Sequence, residues 1–334
     1  MATQTETQTA TIPELASQTR FAGPLWLREE VGALYAKGEV HTGPFSMPLL
    51  RMANFDKLHL PPNRNLRMLD LCCGSGVTTH ELQVLLQKQR LEDKVDLTCG
   101  DFSTGQLEYL DKRIQKMGWK NTYTQQMNAE KNGLPDQAFD HVVCAQGLMI
   151  IPDSQAALQE CYRVIKPGGT FALSVWHTEN WSLDVRDAVT HLPGLPAWPE
   201  TSVELTNSWA QGPWENTHYV RSMLHRRGFV DVDVQTKSIQ IPLKDAEDFY
   251  EVYDAFIEWV TDRYWTEEEK KACKPLLRET VVRHMENKYG RGKPFAIEKV
   301  CILATAKRPE ASGNALDLGT PEMDDKGHDS GKEF

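Results

Sequence analysis

A seven-residue segment that begins at Asp70 has the composition of a ligand-binding turn. It reads Asp70-Leu71-Cys72-Cys73-Gly74-Ser75-Gly76, follows an apolar run and precedes a helix predicted over Val77–Arg90. Glycines at 74 and 76 let the turn pass close to a ligand, because a side chain there would fill the ligand's volume or forbid the backbone angles. In an open parallel sheet such a site lies at the carboxyl ends of the strands. Taken alone the turn is weak evidence, since Thr79 interrupts the full Gly-x-Gly-x-x-Gly fingerprint of dinucleotide sites.

Polar residues at the ends of the next three predicted strands strengthen this interpretation. Asp101 ends the second strand, where a carboxylate can accept hydrogen bonds from both hydroxyls of a ribose. Asn128 follows the third strand, where an amide could recognise the edge of an adenine. Gln146 ends the fourth strand, beside the same crevice. The order of these residues predicts a nucleoside-containing ligand at one edge of the sheet.

The elements that would position these residues alternate between strands and helices from Leu66 to Lys307. This alternation predicts an α/β fold with a parallel sheet covered by helices. The predicted strands are Leu66–Leu71, Lys94–Asp101, Thr122–Met127, Phe139–Gln146, Thr170–Trp176, Val230–Ile241 and Ile297–Ala306. Helix-capping signals support the spacing. Ser103 with Gln106 forms a capping box, and Asp153 can cap the helix that ends near Pro167-Gly168-Gly169.

The chain resembles class I S-adenosylmethionine-dependent methyltransferases, of the kind that includes ubiquinone-biosynthesis and fungal secondary-metabolite enzymes. The resembling segments are Met68–Gly76, Gly100–Leu110, Asn128–Asp140 and Gln146–Gly169, the last with the ending Arg163-Val164-Ile165-Lys166-Pro167-Gly168-Gly169. Together they cover roughly residues 65–177. The resemblance implies a Rossmann-like seven-stranded sheet with an antiparallel last strand, methyltransferase activity, and S-adenosylmethionine as the cofactor.

The turn after the first strand takes a role from this resemblance. Asp70, Gly74 and Gly76 would hold the methionine part of the cofactor. Cys72 departs from the family pattern, because it occupies the position of the first glycine of the turn. Since a cysteine is small, we expect a modest tightening of the site with cofactor binding retained. A reactive thiol is disfavoured, because the neighbouring sequence supplies no base or cation to lower a thiol pKa.

The later strand ends also take roles from the resemblance. Asp101 would bind the ribose, and Phe102 would pack against the adenine. Asn128 and Ala129 would contact the polar edge of the adenine. Gln146 would lie near the methionine part, and a turn or cap at a strand end is the structural alternative for each of these residues.

Methyl transfer from a sulfonium depends mainly on positioning, because the methyl group is already activated. A general base is needed only when the acceptor arrives protonated. His177, which follows the fifth predicted strand at the carboxyl edge of the sheet, is the first candidate for such a base. A hydrogen-bonded structural histidine is the alternative. His41 and Tyr35, in the N-terminal segment that often covers the cofactor in this family, are the next candidates.

The sequence predicts four parts. Residues 1–20 and 308–334 are poor in apolar residues and are expected to be disordered tails. Residues 21–65 would form a helical N-terminal cap, and residues 66–307 the methyltransferase domain with a helical lid at about 243–294. The lid carries apolar residues at helical spacing, which predict either a face packed on the core or a cover over an apolar acceptor. These residues are Phe249, Val252, Tyr253, Phe256 and Val260.

Composition indicates which kind of molecule the protein binds. A net charge of −10, from 37 basic and 47 acidic residues, would repel a phosphate backbone and argues against nucleic acid. The chain has nine tryptophans, and their flat apolar rings suit a hydrophobic, aromatic or polycyclic small molecule that accepts methyl on oxygen, nitrogen or sulfur. The late ones are Trp181, Trp198, Trp209, Trp214, Trp259 and Trp265. A methyltransferase-like cyclase or rearrangement catalyst, and a non-catalytic regulator that binds S-adenosylmethionine, are the alternatives.

The same composition predicts a cytoplasmic protein, as a monomer or homodimer. The N-terminus has neither the basic start nor the apolar core of a signal peptide, and no apolar run reaches the roughly 18 residues of a membrane span. The seven cysteines contain no Cys-x-x-Cys pair, which argues against a zinc site or a disulfide framework. No metal is expected.

Overall fold

A central seven-stranded sheet organises the chain, with strand order β3-β2-β1-β4-β5-β7-β6. The computed structural model describes residues 24–209 and 211–310. Its strands are β1 Leu66–Leu71, β2 Val95–Asp101, β3 Thr122–Gln126, β4 Phe139–Ala145, β5 Ile165–Glu179, β6 Val230–Leu243 and β7 Phe295–Lys307. Strands β1 to β5 pair in parallel, and β7 runs antiparallel between β5 and β6. The predicted α/β fold with an antiparallel last strand is confirmed.

Helices cover the sheet and extend beyond it. The α-helices are α1 Val31–Lys37, α2 Glu39–Thr42, α3 Ser46–Met52, α4 Val77–Gln89, α5 Thr104–Met117, α6 Ser154–Val164, α7 Asn180–Val189, α8 Ser202–Thr206, α9 Thr217–Arg226, α10 Ala246–Tyr264 and α11 Glu267–Tyr289. Short 3₁₀ turns lie at Pro24–Leu27, Gly43–Phe45, Phe55–Lys57 and Leu148–Ile150. Both N-caps are present: Ser103 Oγ accepts from the Gln106 amide, and Asp153 Oδ1 from the Ala156 amide. The capping box predicted at Ser103 is wrong in its second half, because the Ser103 amide donates to Asp101 and Gln106 Oε1 has no partner among the described residues.

Strand β5 is longer than the sequence predicts. It begins at Ile165 and continues to Glu179, because β7 pairs with it as far as Glu179 opposite Lys299. His177 therefore lies within β5, at a bulge between Trp176 and Thr178, and not after the strand. A bulge re-aims the side chains around it.

Helices α1 to α3 and the two long helices α10 and α11 form one packed layer over part of the sheet. Helix α1 packs on α5 and α10, α3 packs on α4 and β7, and α11 packs on α10 and α7. The five apolar lid residues predicted at helical spacing are all buried, and the most exposed of them, Val252, is 7% exposed. Tyr253 stacks on Trp181, and Phe256 lies beside Tyr35. This face of α10 is packed against the rest of the protein.

The predicted tails lie outside the described residues, apart from residues 308–310. All seven cysteines are free thiols. Among the helices of the described residues, none is both long and apolar enough to span a bilayer. In the same part of the chain, no three His, Cys, Asp or Glu side chains are grouped as metal ligands.

Candidate active site

A cavity opens at the carboxyl ends of β1 to β4, with about 1140 Å³ of empty space counted to its mouth. Small-molecule and cofactor sites have this order of size. Seven of the nine predicted cofactor residues line it, namely Cys72, Gly74, Asp101, Phe102, Asn128, Ala129 and Gln146. The N-terminal helices add Trp26, Tyr35, Thr42 and Ser46 to the lining. The crevice that the sequence places at one sheet edge is thus present as a cavity that opens to solvent and that the N-terminal helices partly line.

Asp101 joins the first two strands at the floor of this cavity. Its Oδ2 accepts from the Gly74 amide and its Oδ1 from the Ser103 amide, each at 2.9 Å. Burial raises the pKa of Asp101, although these amides oppose the rise. A carboxylate has about four acceptor positions, so Asp101 keeps capacity for the two hydroxyls of a ribose.

Three alternate residues of the turn after β1 have a left-handed backbone, namely Cys72 at φ +59°, Gly74 at +54° and Gly76 at +85°. A Cβ at Gly74 would have Gln106 Nε2 at 4.0 Å as its nearest neighbour, so this glycine faces open space. A Cβ at Gly76 would instead lie 2.3 Å from Leu110 of α5. Gly76 is therefore required by helix packing, and it does not line the cavity.

Asp70 lies behind the turn, outside the lining of the cavity. Its Oδ2 accepts from the Thr79 hydroxyl at 2.7 Å, and its Oδ1 has no partner among the described residues. Burial raises the pKa of Asp70 to about 7, and the nearby carboxylate of Asp101 adds to the rise. The structure gives Asp70 a contact that anchors α4, and its contact with a cofactor stays a prediction.

Several cavity residues were not predicted from the sequence, and Met127 and Gln106 are two of them. Met127 fills the space beside Gly100, where a Cβ would lie 2.5 Å from its sulfur. Gln106 lines the cavity with a buried Oε1 that has no partner among the described residues. The sequence analysis assigned Gln106 only to the cap at the start of α5, where its backbone amide donates to Ser103 Oγ. Its position in the cavity was therefore not predicted.

Gln146 is held from three sides. Its Oε1 accepts from Trp176 Nε1 at 3.1 Å and from Lys299 Nζ at 3.0 Å. Its Nε2 donates to the Thr42 carbonyl at 3.1 Å, which ties the N-terminal helices to the end of β4. Lys299 is a further residue that the sequence analysis missed, because nothing in the local pattern of β7 distinguishes it.

His41 belongs to the same buried group and does not line the cavity. Its Nδ1 lies 3.1 Å from the Tyr253 hydroxyl, and its Nε2 lies 2.7 Å from Lys299 Nζ and 2.9 Å from Glu179 Oε2. Burial and the charge of Lys299 lower the pKa of His41 to about 4. The ring is therefore neutral at physiological pH.

The other two predicted catalytic residues differ in their positions. Tyr35 lines the cavity, and burial raises the pKa of its hydroxyl, which stays protonated at neutral pH. His177 does not line the cavity, and its Nδ1 lies 2.7 Å from the Glu215 carbonyl. This contact matches the structural alternative for His177, and no histidine of the described residues lines the cavity.

The lining fits S-adenosylmethionine. Asp101 has free acceptor capacity, Gln106 Oε1 is an unpartnered buried acceptor, and Gly74 leaves open space in the turn. Apolar surface from Phe102 and Met127 lies between the ends of β2 and β3. Fold and cavity together are those expected of an α/β enzyme that binds a nucleoside-containing cofactor at the carboxyl edge of its sheet.

Comparison with known proteins gives the family. A family model described as a methyltransferase domain matches residues 69–173. The chain is 30% identical over 275 residues to methyltransferase tpcH of Aspergillus fumigatus, covering 82% of this chain and 95% of that protein. It is 29% identical over 285 residues to the acetylaranotin bis-thiomethyltransferase of Aspergillus terreus, covering 85% and 97%. A match of 38% identity over 104 residues, covering 31% and 39%, is to the ubiquinone/menaquinone biosynthesis C-methyltransferase UbiE of Xanthomonas oryzae pv. oryzae.

The chain belongs to the class I S-adenosylmethionine-dependent methyltransferases. It is an enzyme, and S-adenosylmethionine is its cofactor.

Proposed function

We propose that this methyltransferase transfers a methyl group to oxygen, nitrogen or sulfur of a hydrophobic, aromatic or polycyclic small molecule in secondary metabolism. The observation that carries the proposal is that Trp26 and Tyr35 contribute aromatic rings to the lining of the same cavity as the polar strand ends. The Aspergillus terreus relative is named a bis-thiomethyltransferase, which supports sulfur among the candidate acceptor atoms.

This aromatic surface is supported from behind. The ring of Trp26 lies 5.6 Å from Tyr35 and 5.6 Å from Trp259, and Tyr35 lies 5.6 Å from Phe256, measured between centroids. Aromatic pairs at such distances add about 0.5–1.5 kcal/mol beyond the burial of their area. Helix α10 thus holds both rings in place, which supports a preformed contact surface for a flat acceptor.

The residues act mainly by binding and orientation. When bound, S-adenosylmethionine supplies a methyl group activated by its sulfonium. Asp101 would accept from the ribose hydroxyls, and Asn128 with Ala129 would contact the adenine edge. Trp26 and Tyr35 would exclude water and hold the acceptor. Well-oriented reactants gain roughly 7–11 kcal/mol from such positioning. An acceptor atom that arrives deprotonated needs no base, whereas a protonated one must release its proton to a base or to solvent water.

The Tyr35 hydroxyl would serve as a hydrogen-bond donor. Its raised pKa keeps the proton on its oxygen, which disfavours a role as general base at neutral pH. A donor beside the acceptor atom would fix the orientation of an acceptor that carries oxygen. The free thiols of the chain support a reducing, cytoplasmic location.

A mass-shift screen tests the proposal. Purified protein is incubated with S-adenosylmethionine and a panel of hydrophobic phenols, amines and thiols, with matched hydrophilic compounds beside them. We expect a mass gain of one methyl group in hydrophobic members only, and none with Asp101→Ala. Methylation confined to the hydrophilic compounds would contradict the proposed acceptor class.

A further inference from the structure

Lys299 is a buried cation at the centre of a polar group beneath the cavity. It is 1% exposed. Its ammonium donates to His41 Nε2 at 2.7 Å and to Gln146 Oε1 at 3.0 Å, and pairs with Glu179 Oε1 at 3.2 Å. An ammonium has three N–H donors. Hydrogen bonds to His41 and Gln146 use two of them, and the contact with Glu179 is an ion pair, since Glu179 Oε1 has no hydrogen-bond partner among the described residues. A buried charge persists only with such partners.

Glu179 is the anion that balances Lys299. It is also 1% exposed, and its Oε2 accepts from Trp181 Nε1 at 2.8 Å. Burial raises the pKa of this carboxyl, but the charge of Lys299 beside it opposes burial, and the pKa is lowered overall. Lys299 is therefore fixed by an ionised partner on the adjacent strand, and it can hold a third group in a set position.

That third group is Gln146, which unlike Lys299 lines the cavity. Both acceptor positions of its Oε1 are used, by Lys299 and Trp176. Its Nε2 has two N–H groups, one of which donates to the Thr42 carbonyl. The other has no partner among the described residues, so the amide can offer it to a bound molecule.

The backbone of Gln146 supports the same interpretation. Its φ is +55°, a left-handed conformation that a residue other than glycine adopts at a cost. Its amide N–H donates to the Ser174 carbonyl at 2.8 Å, which holds the strained residue at the end of β4. Strain of this kind concentrates at ligand-binding positions.

We propose that Lys299 is a positioning residue for the methionine half of the cofactor, acting by holding Gln146 so that its unpaired amide N–H meets an oxygen of that half. The inference rests on the proposed site map, in which Gln146 lies near the methionine part. It assigns a binding role to a residue of β7, outside the residues 69–173 that the methyltransferase family model matches.

Calorimetric titration with two ligands, one with and one without the amino-acid part of the cofactor, tests the proposal. S-adenosylhomocysteine carries the amino-acid part, and 5′-methylthioadenosine lacks it. We expect Lys299→Met to weaken S-adenosylhomocysteine about tenfold or more, the usual effect of losing a hydrogen bond to a charged group, and to leave 5′-methylthioadenosine unchanged. Equal weakening of both ligands, or of neither, would overturn the proposal.

A double-mutant cycle separates positioning from general structural damage. If Lys299 acts through Gln146, Lys299→Met adds nothing in a Gln146→Ala background. Additive losses would show that Lys299 acts independently of Gln146 and would also overturn the proposal. Lys307→Met is the matched control, because Lys307 ends the same strand, is 54% exposed at its side chain and pairs with Asp231.

A second variant tests the proposal without leaving a buried charge unpaired, so that loss of folding does not obscure the result. Lys299→Met leaves Glu179 as an unpaired buried charge, which is strongly destabilising. The double variant Glu179→Gln, Lys299→Met keeps the group neutral, and is compared with Glu179→Gln alone for the same two ligands. The same selective loss is expected. These measurements use no acceptor, so a failed acceptor screen would contradict the proposed function and leave this inference standing.

Discussion

The amide of Gly74 donates to Asp101 Oδ2 across 2.9 Å, so the turn after β1 is fastened to the end of β2. A cofactor that binds the Asp101 carboxylate thereby meets a turn whose position is already set. This hydrogen bond fixes the position of the Asp101 carboxylate relative to the Gly74 backbone.

Asp101→Ala is expected to abolish measurable cofactor binding while the fold is retained. The variant loses the ribose acceptor and leaves the Gly74 amide unpaired, and each such loss costs about 1–3 kcal/mol. Calorimetric titration with S-adenosylhomocysteine measures the affinity, and circular dichroism checks the fold. Asp96→Ala, at the opposite part of β2, is the control. Unchanged affinity in Asp101→Ala would refute the assignment of Asp101 as the residue that binds the ribose.

Cys72→Gly is expected to raise the free energy of unfolding by about 1 kcal/mol relative to Cys72→Ala. Cys72 has a left-handed backbone at φ +59°, which costs a residue with a Cβ roughly 1–2 kcal/mol and costs glycine little. Both variants lose the thiol and its contact with Cys144, so their difference isolates the backbone. Urea unfolding measures it. A less stable glycine variant would show that backbone strain at this position is negligible.

Asp70→Asn is expected to change how stability depends on pH. The pKa of Asp70 is about 7 in the folded protein and about 3.9 in an unfolded chain. Between these values the folded state binds more protons, so this carboxyl makes stability fall as pH rises from about 4 to about 7. The asparagine variant should therefore gain stability over wild type through that window, by up to about 1.4 kcal/mol per pH unit.

Urea unfolding of both proteins without cofactor, at several pH values from 4 to 8, measures this gain. Comparison with wild type removes the opposing effect of His41, whose lowered pKa makes stability rise over part of the same range. Parallel stability curves for the two proteins would mean that Asp70 titrates normally.

His177→Ala is expected to leave methyl transfer and cofactor affinity unchanged. Its ring contacts the Glu215 carbonyl and not the cavity, so the loss is a single hydrogen bond of about 1 kcal/mol of stability. Steady-state kinetics with an acceptor from the screen, together with thermal unfolding, measure both. A large fall in kcat at constant stability would restore His177 as the base.

Tyr35→Phe is expected to reduce kcat/KM several-fold without shifting the pH profile. The hydroxyl is protonated throughout the neutral range because burial raises its pKa, and its loss removes one hydrogen bond of about 0.5–1.5 kcal/mol. The pH dependence of kcat/KM for wild type and variant is the measurement. Disappearance of a basic limb from the profile would indicate that Tyr35 acts as an acid or base.

Much of the fold and part of the site followed from local sequence. The caps at Ser103 and Asp153 and the order of the strands were predicted correctly, because periodicity and turn residues act over a few positions. The end of β5 was misplaced, because its last residues are ordered by pairing with β7 and not by their own pattern. His177 was consequently expected beyond the strand.

The sequence by itself determined which residue types stand at the strand ends and hence the family, the cofactor and part of the cavity lining. It could not distinguish Asp70 from Asp101, since both are carboxylates at strand ends. Backbone geometry alone turns Asp70 to Thr79 beneath the turn and leaves Asp101 in the cavity. Nor could it connect Lys299 with Gln146, 153 residues apart. That contact exists because β7 inserts antiparallel beside β5, and long-range pairing of this kind is set by the packing of the whole chain and not by any local pattern.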